Sequence, residues 1–203
     1  MYRLLHSLNN PELILHLEKL EQLFVKMDAA YDSAAKQHGF ICNGCEENCC
    51  KTLFYHHTFL EFFYLVQGLQ KLTVETRQAL YKRAQKVVLA QRAASAVTVF
   101  RKMCPLNQNS RCQLYAHRPM ICRLHGIPYR LGFGQAQKEG EGCHDFYQQA
   151  VKTDSVLDRT ELYQELALLE KKLRAWINDS SKIRLTIAEM IVALQENEHD
   201  ETT

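Results

Sequence analysis

Apolar residues recur near the N-terminus at alternating steps of four and three: Leu13, Leu17, Leu20, Phe24, Met27, Tyr31 and Ala34. This heptad seam predicts a long helix with one face that needs a partner, from within the chain or from a second copy. About three heptads are short for a free coiled coil, so the spacing favours an intramolecular helical hairpin over a helix-mediated homodimer. Asn10, Pro11 and Glu12 suit an N-cap, a first helical position and the positive end of a helix dipole, and Gly39 suits a stop. Thr52 to Phe59 is rich in aromatics and reads as a short strand. Thr58 and Glu61 have capping-box spacing and open a helix through Phe62, Phe63, Leu65 and Val66 to about Gly68.

From Thr76 to Met103 there is neither Gly nor Pro, which predicts another long helix, with Leu80, Val87, Val88, Ala94 and Val97 or Val99 on its apolar face. Between Cys104 and Cys143 the pattern breaks. Pro105, Pro119 and Pro128, with Gly126, Gly132, Gly134, Gly140 and Gly142, punctuate an irregular segment. An irregular stretch of that length inside a compact domain needs something to hold it, and metal ligation would do so. Leu157, Leu162, Leu166, Leu169, Leu173 and Trp176 then form one face of a helix of about six turns. Thr186 and Glu189 repeat the capping-box spacing before a short helix, and residues 196–203 form an acidic tail expected to fray. The expected fold class is mainly α with little β, its helices arranged around an irregular cysteine-rich metal-binding centre. The expected divisions are a helix over 1–39, a cysteine-cluster domain over 40–150, helices over 151–195 packing on the same unit, and the tail.

Composition adds bounds. The 203 residues are 46% hydrophobic and 24% charged, ordinary for a globular protein and sufficient for one domain with an extension. Uncharged runs such as Phe62 to Gln70 are too short to cross a bilayer, so no membrane association is expected. The first ten residues lack an apolar run followed by a small-residue cleavage site, which makes the cytoplasm the expected compartment.

Cysteine is the outlier. Eight thiols lie at Cys42, Cys45, Cys49, Cys50, Cys104, Cys112, Cys122 and Cys143. A reducing cytosol disfavours four disulfides, and thiols gathered in this way there point to metal. Buried core cysteines would explain one or two of them, not four within nine residues interleaved with Asn, Gly and Glu. Cys42-Asn-Gly-Cys45 has the spacing with which one loop offers two sulfurs to one ion, and Gly44 permits the turn. The neighbours Cys49 and Cys50 diverge by about 100° in a helix and point oppositely in a strand, so they are expected to serve two centres, or one of them none. Eight thiols in two sets of four suit either zinc or iron–sulfur clusters, and one cysteine of a run can serve the other cluster.

The run Cys42-x2-Cys45-x3-Cys49-Cys50, followed by Cys104-Pro-Leu and Cys112-x-Leu-Tyr115-x2-Arg118-Pro119-x2-Cys122-Arg123, resembles the YkgJ-type cysteine-cluster proteins, described as a zinc- or iron-chelating domain. The resemblance spans about residues 40–145. It implies that all eight cysteines are ligands and that Tyr115, Arg118, Pro119 and Arg123 shape or charge-balance the site. A related module accompanies flagellin lysine-N-methylases, but no separate motif here supports methyl transfer. Zinc ribbons place both C-x2-C pairs in tight knuckles, whereas only one pair here has that spacing, so the second group is closer to an iron–sulfur or mixed site.

Charge is segregated. From Thr76 to Lys138 there are twelve Lys or Arg and no Asp or Glu, leaving thirteen basic and twenty-three acidic residues elsewhere. Arg118, Arg123 and Arg111 are expected to offset thiolate charge, while Lys82, Arg83 and Lys86 form a solvated face or dock a protein partner. No helix-turn-helix or aromatic RNA-binding signature accompanies the basic segment, which argues against nucleic acid. His56 and His57 read as packing and surface residues. His117, His125 and His144 are candidates for a substitute ligand or a hydrogen bond to sulfur. Three functions follow: an iron–sulfur protein in electron transfer or redox sensing, a structural zinc module acting as an adaptor, and an enzyme with an open coordination position.

Overall fold

The computed structural model describes residues 8–42, 49–94, 100–151 and 156–200, with the backbone alone at Phe133 and 195–200. Cys45, Gly44, Val97, Val99 and the last three residues of the tail lie outside the described residues. The chain is mainly helical. The first helix, α1 (Pro11–Gln37), begins where the sequence predicts: the Asn10 side chain accepts from the Glu12 N–H at 2.9 Å. Leu13, Leu17, Leu20, Leu23, Phe24 and Met27 are buried along it, and Gly39 takes φ +65° just past its end. The seam is covered from within the chain, by helices α2 (Phe59–Gln70), α4 (Met120–Leu124) and α6 (Thr160–Ile177).

Helix α2 is the spine of the molecule. Ten of its twelve residues are buried, including the carboxylate of Glu61, so it is enclosed by other elements on nearly every side. Its N-terminus is capped twice. Thr58 Oγ1 accepts the Glu61 N–H (3.2 Å), and from α6 the buried Glu170 accepts the N–H groups of Phe59 (3.0 Å) and Leu60 (3.1 Å). Glu170 is itself paired with Arg174 at 2.6 Å, so its buried charge has a counter-ion. Helix α3 (Val74–Ala93) packs against α7 (Ile187–Asp200), burying Leu80, Ala84 and Val88. The reciprocal box at α7 forms as expected: Thr186 Oγ1 accepts the Glu189 N–H, and Glu189 Oε2 accepts the Thr186 N–H.

Several elements differ from expectation. Thr52 to Phe59 is no strand; a single antiparallel bridge joins His56 to Leu185. Helix α3 ends at Ala93, ten residues before Met103, and Phe100 to Met103 is irregular. The early exit lets Cys104 reach the loop of Cys50, whose carbonyl accepts its N–H at 2.7 Å. Leu157 belongs to a strand, β5 (Leu157–Asp158), not to α6, because Asp158 Oδ1 accepts the Thr160 N–H and starts the helix there. The acidic tail continues α7 through Asp200.

The segment from Cys104 to Cys143 resolves into short pieces. A hairpin of β1 (Asn107–Gln108) and β2 (Arg111–Cys112) turns at Asn109 and Ser110, both at positive φ, the geometry that matches strand twist. A 3-10 turn at Tyr115–His117 and α4 follow. A second hairpin, β3 (Tyr129–Phe133) and β4 (Ala136–Gly140), leads to α5 (His144–Gln149), after which β5 returns as a parallel third strand beside β3.

Buried His56 gives the fold a pH dependence. Its burial pushes the imidazole below its ordinary value, against the opposing pull of Glu61 at 4.0 Å, and its Nε2 has no hydrogen-bond partner. The unfolded chain takes up a proton near the usual 6.5 while the folded one resists, so this contribution is complete above that pH. It is lost as pH falls from there through the lowered folded value. Urea midpoints of the chelator-stripped chain should therefore fall between pH 7.5 and 5.0, and fall less steeply in His56→Leu. Equal slopes for the two proteins would contradict this.

Candidate metal centre

The cysteine groups are assembled by loops that the helices anchor. Cys49 and Cys50 sit in a 3-10 turn, Cys49–Lys51, and the Cys50 carbonyl is tied to the Cys104 N–H. After Cys104, the N–H groups of Leu106 and Asn107 donate back to its sulfur, and the Leu114 N–H does the same for Cys112. Donors two and three residues beyond a cysteine turn the loop around the sulfur and favour its thiolate form. The β1–β2 hairpin returns the chain so that Cys112 lies opposite Asn107. Arg83 on α3 fixes both loops, its Nε donating to the Pro105 carbonyl (3.0 Å) and its Nη2 to Gln113 Oε1 (2.7 Å). It is a brace, not the solvated residue the sequence suggests; Lys82 and Lys86 are exposed as expected.

Cys122 rides on α4. Pro119 precedes that helix and its carbonyl accepts the Cys122 N–H at 3.1 Å, while Glu61 Oε1 accepts the Met120 N–H at 2.9 Å. The capping-box glutamate of α2 thus also positions the helix that carries a cysteine. Cys50, Cys104, Cys112 and Cys122 lie within electrostatic reach of one another. Burial pushes the thiols of Cys112 and Cys122 up, and that of Cys104 up to about 12. Cys50 is the exception. The Cys49 S–H donates to it and, with Asn107 and the Arg118 guanidinium, brings it down to about 6 against burial. Cys49, as the donor, is held as a thiol.

A second set gathers around Tyr31 of α1. Burial raises the Tyr31 hydroxyl, and the charges of Cys42, Cys143 and Cys49 raise it further. Cys143 precedes α5 and donates its N–H to the Gly126 carbonyl at 2.9 Å. Gly126 has φ +108°, and a Cβ built there would stand 3.4 Å from the Tyr31 hydroxyl and 3.6 Å from the Cys143 sulfur. A side chain at this position would be strained by the backbone conformation and would stand in contact with both groups. Heptad periodicity marks Tyr31 as a packing residue; it carries no signal that its hydroxyl meets thiols.

The arginines divide. Arg118 lies 3.5 Å over the Tyr115 ring, donates to the Tyr115 carbonyl (2.9 Å), stands 3.8 Å from Asp28 and pulls the thiols of Cys50 and Cys112 down. Arg123 takes another role. It is buried and pairs with Asp28 of α1 at 2.5 Å, packs 4.2 Å over Phe24 and donates to the carbonyls of Ala116 and Arg118. Its charge is met by Asp28, so it braces the 115–118 turn. The exposed Arg111 sits in the hairpin. His117 packs against Tyr64 at 4.8 Å and His125 against Phe54 at 5.1 Å, while His144 is exposed. A Cβ at Gly68 would meet the His117 ring at 2.6 Å, so that glycine lets the Tyr115–His117 turn seat on α2.

Among the described residues, no three His, Cys, Asp or Glu side chains stand at ligating separation. The donor set nevertheless fits a thiolate-bound metal. The seven described cysteines are free of disulfides, two carry backbone donors aimed at sulfur, and they form two sets that meet at Cys49, which feels Cys50 and Cys122 as well as Cys42. Among the described residues no helix is long and apolar enough to cross a membrane. Compared with known proteins, residues 41–150 match the family model CxxCxxCC, "Putative zinc- or iron-chelating domain". No curated protein and no solved structure matches the chain.

Proposed function

The chain belongs to the CxxCxxCC family of zinc- or iron-chelating type, and from that premise we propose that it holds two metal–thiolate centres in a redox-active iron–sulfur protein. Cys50, Cys104, Cys112 and Cys122 would hold one. Cys42, Cys49 and Cys143 would hold the other, with Cys45 completing it. The observation that supports the proposal is the different company of the two hydrogen-bonded neighbours: Cys50 acts on Cys104, Cys112 and Cys122, while Cys49, which also feels Cys122, joins Cys42 and Cys143 in acting on Tyr31. Adjacent residues serving different centres would leave those centres one peptide bond apart, a short path for an electron.

Iron–sulfur clusters supply one-electron chemistry at potentials set by burial and by hydrogen bonds to sulfur. The chain's own part is to supply those terms: backbone N–H groups on Cys104 and Cys112, the Arg118 cation near Cys50, and the buried setting of Cys122. A second reading is favoured by the same N–H donors, which also suit structural zinc: the module would then be redox-silent and would present its helices to a protein partner. Bound metal must displace protons from the raised thiols of Cys104, Cys112 and Cys122, so uptake should slow and weaken as pH falls.

Metal and sulfide analysis with a visible spectrum, on chain purified without air, tests the proposal. The expected result is iron, acid-labile sulfide and a brown colour bleached by dithionite. A colourless chain carrying zinc would replace this reading with the structural one. A chain with no metal would sink both.

A further inference from the structure

Arg159 is an arginine inside the protein without an acid. It is 1% exposed, the largest of the fully buried side chains, and among the described residues no carboxylate pairs with it. Its Nη2 donates to the carbonyls of Leu124 and Ile127, the latter at 3.3 Å, and the Tyr163 hydroxyl accepts from the guanidinium. Its Cζ lies 3.8 Å over the Tyr129 ring, and its Nε has no hydrogen-bond partner. A guanidinium does not lose its proton in a protein, so this charge persists in a dry interior. Carbonyl and hydroxyl dipoles and a ring face offset only part of it.

The two carbonyls that Arg159 grips flank one short stretch, His125 and Gly126. Gly126 is the residue whose carbonyl takes the Cys143 N–H and whose Cα side faces the Tyr31 hydroxyl and the Cys143 sulfur, 3.4 and 3.6 Å from where a Cβ would stand. The field of Arg159 reaches Tyr31, and Tyr31 in turn feels Cys42, Cys143 and Cys49. An unmatched buried cation therefore stands behind the peptide on which a thiol group is mounted. We propose that Arg159 is the built-in counter-cation of the Cys42–Cys49–Cys143 group, the positive half of an ion pair whose negative half forms when those thiolates bind a metal. The inference rests on the metal-binding reading above and adds a residue outside the stretch that matches the family model. Arg159 is a positioning and charge-balancing residue, not a ligand.

Its test is Co2+ titrated without air into the chelator-stripped full-length chain, read by thiolate-to-cobalt absorption and by the urea midpoint with and without metal. Arg159→Gln keeps a donor for the carbonyls and drops the charge; Arg159→Lys keeps the charge. The glutamine chain should bind Co2+ at least about tenfold more weakly than wild type at this group. Its metal-free urea midpoint should be unchanged or raised, since a buried unpaired charge has gone. The lysine chain should bind within about threefold of wild type. A purely structural arginine predicts the reverse pattern, a lower metal-free midpoint with undiminished affinity, and that result would overturn the proposal. So would a glutamine chain that stays unfolded with and without Co2+, or a lysine chain as impaired as the glutamine one. If the wild-type chain itself takes up no Co2+, the metal-binding reading fails first and this inference with it.

Discussion

Serine at Cys50 is expected to empty the group that contains Cys104, Cys112 and Cys122 while leaving the other loaded; serine at Cys49 should do the opposite. The reason is geometric. The Cys50 carbonyl holds the Cys104 N–H at 2.7 Å, and the Cys104 and Cys112 sulfurs are within the field of its thiol, whereas Cys49, though it also feels Cys122, acts with Cys42 and Cys143 on Tyr31. Structural metal sites contribute on the order of 10 kcal/mol of apparent folding free energy, so the loss should reach the backbone. Elemental analysis should show about half of the metal gone in each variant. Amide exchange should accelerate across 104–124 in Cys50→Ser and across 125–149 in Cys49→Ser. Full metal content in both would dismiss the division into two centres.

Phe63→Ala should cost about 3–5 kcal/mol, a large share of the 5–15 kcal/mol that holds a typical domain together. Phe63 is fully buried in the middle of α2, its ring centre 5.6 Å from that of Phe62, edge to face, and 6.5 Å from that of Phe59, where deletion leaves a cavity that enclosed neighbours cannot easily fill. Metal held by ligands that only the fold brings together should restore part of the loss, and the urea midpoint should then depend on metal concentration. A fall of under 1 kcal/mol in the stripped chain would show that α2 is less enclosed than its burial indicates.

The helices were legible in the sequence wherever a cap and a period agreed. Asn10-Pro11, Thr58-Glu61 and Thr186-Glu189 each mark a start that the structure keeps, because the caps are local chemistry. What eluded the sequence depends on partners remote in the chain. Arg83 and Arg123 look alike in composition to any other basic residue of the 76–138 stretch, yet one ties the Cys104 and Cys112 loops and the other reaches Asp28. The end of α3 was missed for the same reason: nothing between Ala93 and Met103 forbids a helix, and the exit serves a contact with Cys50. The residues of the cysteine groups were evident from spacing. Tyr31, Glu61 and Arg159 were not, since each has a sufficient local explanation as a seam, cap or helix-flanking residue.

The enclosure of α2 has a practical consequence for anyone wishing to excise the matched stretch. Cutting the chain at 41 and 150 would remove α1, α6 and α7, the walls against which α2 and α3 lie, together with Asp28 and Glu170. The resulting fragment would bare a phenylalanine-rich rod and strand Arg123 without its acid, so it should aggregate instead of folding autonomously. The smallest piece that keeps the sulfur-bearing loops in place should therefore include the helices on either side.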